Sequence, residues 1–190
     1  TEYQPRIMEM VMGTILGQIL PDHAAGASGN TSLNFLFGGT DPRTGDYYAH
    51  YHFEGNGWGG RATSDGNSAQ IAPHANCRNT PVEIFETRWP WIHEGLRLNR
   101  DTGGPGRHRG GLGFVETTMP RNALVCQVVL HTNEAFTKGQ GILGGNPGSR
   151  ASFRIKRDTD AMRRFAAGEA PVALDDLAGD EEPVVFKGAP

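Results

Sequence analysis

Glycine limits what this chain can become. It supplies 27 of 190 residues and concentrates in four clusters, at residues 55–60, 103–106, 110–113 and 139–148. Glycine loses more backbone freedom on ordering than any other residue, so such clusters do not sit inside helices or central strands. With 12 prolines and a hydrophobic fraction of 37%, the chain reads as one domain with a modest core and much loop. The glycines keep no period of three, which excludes a collagen repeat. Bare backbone N–H groups in such loops can converge on an anion. No cluster ends in the Gly-Lys-Ser/Thr of a phosphate loop. Gly139, Gly141 and Gly144 match G-x-G-x-x-G, but Gly145, Asn146, Pro147 and Gly148 follow, and no dinucleotide-binding helix can start there. Each cluster taken alone reads as a tight turn between strands.

The segments between the clusters suggest the elements. Met8, Met12, Ile15 and Ile19 recur at helical spacing, with Pro5 allowed in the first turn and Pro21 as the stop. Gly13 and Gly17 share one face of this helix, where they would permit close approach of another segment. Apolar stretches at 33–37 and 47–53 flank GGTDPRTGD and predict a hairpin with a longer loop. Residues 54–70 predict a loop, ordered by Trp58 and Arg61. Val82, Ile84 and Phe85 suggest extended chain, and Trp89-Pro90-Trp91 would break any helix. Strands are expected at 115–119, 124–130 and 151–155. The acidic tail after Arg157 reads as a short helix and a loosely attached arm. The expected fold is α+β, a β-rich domain with glycine-rich loops and an N-terminal helix. The division is 1–157 and an arm at 158–190.

Several residues could carry chemistry. Arg107 and Arg109 flank His108 between two glycine pairs and suit a phosphate or carboxylate, each guanidinium bonding bidentately. Alternatively Asp101, Glu83 or Glu86 pairs with them to hold the loop. His50 and His52 share a strand face with Glu54, as a metal site could use, or are simply strand positions beside Tyr48 and Tyr51. His74 is a candidate for substrate contact, and Cys77 beside Arg78 a candidate nucleophile. Cys126 reads as core. A net charge of −3 gives no field for nucleic acid or acidic membranes, and no apolar run approaches the ~20 residues of a membrane span. Two cysteines are too few for a disulfide framework, which points to a reducing, cytoplasmic setting.

NTPVEIFETRWPW at 79–91, followed by RDTGGPGRHRGGLG at 100–113, resembles the hydantoinase B/5-oxoprolinase family. GNGWGGRATSDGNSA upstream and GILGGNPGSR downstream look like further blocks of the same family, in the same order over roughly residues 4–155. Thr102 stands where the family pattern has Ser. The resemblance implies a subunit or fragment, the C-terminal part, of an ATP-dependent amidohydrolase acting on hydantoin, oxoproline or lactam-type cyclic amides. The alternatives are a subunit of an acetone- or acetophenone-type ketone carboxylase, or a noncatalytic assembly module of either complex. It implies a hydantoinase A-like ATPase partner carrying ATP and Mg, with a divalent metal (Mn, Zn or Fe) on the family's N-terminal portion. That portion or other chains of the complex would be needed for activity. Within that reading Arg107, Arg109, Glu83, Glu86 and Asp101 are the expected catalytic set, with the two glutamates bracing the arginines. Arg61, Asp65, His74, Asn79 and Arg88 are the expected substrate-binding set.

Overall fold

The computed structural model describes residues 7–27, 33–71, 78–122, 126–131, 138–169 and 173–184. His74 and Cys77 lie outside them, as do the side chains of Glu54 and Cys126.

The N-terminal helix forms as its periodicity predicts, but Met10–Ile15 winds as a π-helix before passing into α1, Leu16–Ile19. Leu20 leaves the helical region at φ −135°, and Pro21–His23 make a 3-10 turn, as expected for a residue held out of αR by the following proline. The paired glycines are used for close approach. A Cβ on Gly13 would lie 3.3 Å from the Ile142 side chain, and one on Gly17 would lie 4.0 Å from that of Ala24.

β1 (Leu33–Thr40) and β2 (Tyr47–Glu54) form the expected antiparallel hairpin, paired from Leu33↔Glu54 to Thr40↔Tyr47. In the turn, Gly45 adopts φ +80° and donates its N–H to the Asp41 carbonyl at 2.8 Å. Arg43 grips the Asp41 carboxylate at 2.7 Å and donates to the carbonyls of Thr87 and Arg88.

Those carbonyls end α2, Val82–Arg88, where the sequence suggested extended chain. The β-branched Val82 and Ile84 that favoured a strand lie on the exposed face. Burial follows the helical i, i+4 pair instead: Phe85 is 2% exposed and Trp89 packs on the same core. Glu83 in the first turn and Arg88 in the last suit the helix dipole. The helix stops at Arg88, before Trp89 and Pro90, where the sequence placed a break.

β3 (Trp91–Leu98) pairs antiparallel with β4 (Phe114–Pro120), with a register shift between His93 and Gly95. β5 (Cys126–His131) lies on the other side of β1, giving the order β2-β1-β5. The core sits between the two sheets and α2. Phe37, Tyr48, Phe85 and Trp91 are buried together, Phe37 and Trp91 have ring centroids 4.4 Å apart, and Trp91 Nε1 donates to the Tyr48 hydroxyl at 3.0 Å. Aromatic burial and ring packing of this kind dominate small cores.

The expected strand at 151–155 begins only at Ile155: β6 is Ile155–Arg157, paired with β7, Asp180–Glu182. α3 spans Ala161–Ala166. The acidic segment at 173–182 is pinned rather than loose. Arg154 binds both Asp175 and Glu181 at 2.7 Å, and Lys156 Nζ donates to the carbonyls of Leu174 and Leu177. The Arg154 guanidinium holds both carboxyls below their usual range. The fold is α+β and β-rich, with a short N-terminal helix.

Candidate functional site

The glycine clusters do more than turn the chain. Loops 55–71, 99–113 and 138–150 are hydrogen-bonded to one another through their backbones. Gly111 N donates to Trp58 O at 2.8 Å, Gly66 N to Arg109 O at 2.9 Å, Asn146 N to Pro105 O at 2.9 Å, and Ser149 N to Thr102 O at 3.0 Å. These contacts leave no room for a side chain. A Cβ would lie 1.8 Å from Trp58 O at Gly66, 1.9 Å from Gly111 O at Gly57, and 2.3 Å from Asn146 O at Gly104. Glycine is required here for backbone-on-backbone contact.

Polar side chains lock the layer. Trp58 Nε1 donates to Ile71 O at 2.7 Å and Arg61 donates to Asn67 Oδ1 at 2.9 Å, so both residues pin the loop as expected. Thr102 donates to Asn99 O at 2.8 Å and accepts from Gly113 N at 3.0 Å. It makes these bonds with its hydroxyl, the group a serine would share.

This layer, β3, β4 and the segment 150–162 line an open cavity of about 1510 Å³. Arg107 and Arg61 stand on its wall. Arg109 is fixed by Asp65, which accepts its backbone N–H at 3.0 Å and its Nε at 3.3 Å, with His108 Nδ1 3.8 Å away. The partner of Arg109 is therefore Asp65, not Asp101, Glu83 or Glu86. Asp101 is an exposed loop residue at φ +58°. Glu83 and Arg88 are exposed on α2, and Glu86 Oε1 accepts the His93 N–H at 3.0 Å, a backbone brace for β3. Asn79 lines a separate small cavity with His52 and His93. The expected residues thus fall into two groups, one on the glycine layer and one around α2.

The histidines form a third arrangement. Glu116 on β4 lies 3.3 Å from His52 Nε2 and 2.8 Å from His93 Nδ1. His50 stacks on Trp89 at 3.7 Å, and burial, aided by neighbouring His52, lowers its pKa to about 4. Among the described residues no group of three or more His, Cys, Asp or Glu is placed to hold a metal ion, so no chemical step is assigned to a metal on these residues. No helix of the described residues is long and apolar enough to cross a membrane.

Two cavity glutamates, Glu94 and Glu116, did not stand out in the sequence. For Glu94 a signal existed: Gly95 inside a strand marks a bulge.

An α+β domain whose glycine-rich loops wall a cavity is the class that fold and site define. The Hydantoinase B/oxoprolinase family profile matches residues 1–180, and the chain belongs to that family. It is 30% identical over 159 residues to the acetone carboxylase alpha subunit of Xanthobacter autotrophicus, covering 81% of this chain and 20% of that protein. It is 32% identical over 131 residues to 5-oxoprolinase 1 of Arabidopsis thaliana, covering 68% of this chain and 10% of the relative. The 5-oxoprolinase of Saccharomyces cerevisiae is 30% identical over 81 residues, covering 42% of this chain and 6% of that protein. The nucleotide-free structure of acetone carboxylase, solved for its ATP-dependent mechanism, superposes with a TM-score of 0.72 at 25% identity over 88% of this chain and 24% of its own. The chain therefore spans a fifth or less of each of these curated relatives.

Proposed function

We propose that this chain is part of an ATP-dependent amidohydrolase acting on cyclic amides of the hydantoin, oxoproline or lactam type, and that it supplies one wall of a site completed by other polypeptide. A hydantoinase A-like ATPase would carry ATP and Mg. A family N-terminal portion would carry any divalent metal, and the chain would not act alone. The observation that carries this reading is the cavity wall. The glycine blocks that resemble the family in sequence hydrogen-bond into one layer, and that layer presents Arg107 and Arg61 to a large cavity.

On this reading Arg107 contacts the phosphate or carboxylate of an activated intermediate, where a guanidinium favours developing negative charge. Arg109 is held by Asp65 and keeps the same loop in position. Asp101 supports this loop, Glu83, Glu86, Asn79 and Arg88 shape the neighbouring region around α2 and its separate cavity, and His74 contacts substrate.

A second reading, an ATP-dependent ketone carboxylase, is favoured by the likeness to acetone carboxylase. A third, a noncatalytic assembly module, makes the layer an interface.

The double variant Arg107→Ala/Arg109→Ala separates these roles. In the assembled complex it should abolish substrate-dependent ATP turnover while size-exclusion chromatography shows assembly intact. Full activity would reject the site assignment, and loss of assembly would support the module reading.

A further inference from the structure

β3 and β4 run in register from Trp91↔Pro120 to His93↔Thr118, and again from Gly95↔Thr117 to Leu98↔Phe114. Glu94 is the one residue between these runs without a cross-strand partner. A bulge of this kind re-aims the extra residue's side chain and is common beside binding sites. Glu94 lines the large cavity, yet both of its carboxylate oxygens are buried without a hydrogen-bond partner. Leaving a carboxyl in that state is costly. A leucine there would avoid the cost, so the group calls for a partner that the described residues do not supply.

We propose that Glu94 is the recognition residue for the cyclic amide, pairing its carboxyl with the N–H and C=O edge of the ring. The inference rests on the cyclic-amide reading above and deepens it.

Burial raises the Glu94 pKa, with Arg164 opposing, and the proposed pairing uses the protonated form. A neutral carboxyl offers one donor and one acceptor side by side. A lactam or hydantoin ring holds its amide cis, with N–H and C=O on one edge, so two hydrogen bonds form at once. An open-chain secondary amide is trans and turns these groups to opposite sides. The same edge therefore selects ring amides over linear ones. No hydrogen bond pins the carboxyl, and its terminal torsion is broad. The side chain can turn to meet a ring in the cavity.

The test measures binding of 2-pyrrolidone and hydantoin, with N-methylacetamide as the linear control, to the assembled complex without nucleotide by calorimetry. Glu94→Gln keeps a donor and an acceptor side by side and should retain affinity. Glu94→Leu should weaken ring binding about tenfold or more, the scale of two lost hydrogen bonds, while raising the melting temperature by removing a buried unpaired group. Glu94→Ala serves as a second loss variant if leucine perturbs folding. Unchanged ring binding in both loss variants would overturn the inference and leave the cyclic-amide reading standing. Absence of ring binding to the wild-type complex would overturn both.

Discussion

His50 carries the clearest acid sensitivity at a single residue. Its ring is stacked on Trp89, and its pKa falls from 6.5 to about 4 in the folded chain. The unfolded chain therefore binds the extra proton first. The stabilisation is fully present above pH 6.5 and is lost as pH falls toward about 4. Urea midpoints measured across that window should drop, and His50→Phe should flatten the drop. Asp41, Asp175 and Glu181 are held low by Arg43 or Arg154. They lose their share only in more acidic solution, below their ordinary values of 3.8 to 4.5. An unchanged midpoint between pH 6.5 and 4.5 would show that the ring is solvated rather than buried.

At the scale of elements, the glycine loops carry the sharpest contrast. Gly66→Ala places a Cβ 1.8 Å from the Trp58 carbonyl oxygen, whereas nothing lies within 4 Å of the Cβ position at Gly95. The first variant should cost about 1–3 kcal/mol or more in denaturant unfolding, the second little. Equal costs would mean that the loops do not pack as a layer. The glycine clusters were visible in the sequence, but only as turns. Their contact with one another depends on pairings across long separations, such as Arg109 with Asp65, 44 residues apart. The hairpin and the break at Trp89-Pro90 were legible because turn residues and proline act locally. α2 was not, because Val82 and Ile84 favour strand locally while the burial of Phe85 and Trp89 decides the outcome. The acidic tail read as a loosely attached arm because its cations, Arg154 and Lys156, lie some 18 to 27 residues earlier in the chain.

At the scale of the whole molecule, the α+β class and the family were both legible, since the motif blocks keep their order. Site residues were less so. Arg61 and Arg107 reach the cavity, while Glu94 and Glu116 were found only once β3 and β4 were paired. The chain spans a fifth or less of the curated relatives named above. The most direct measurement is phosphate release from ATP by the complex isolated through a tag on this chain, with and without 5-oxoproline or hydantoin. The account predicts release that depends on the cyclic amide and disappears when the tagged chain is assayed alone. Release that ignores cyclic amides and responds only to acetone with bicarbonate would contradict it.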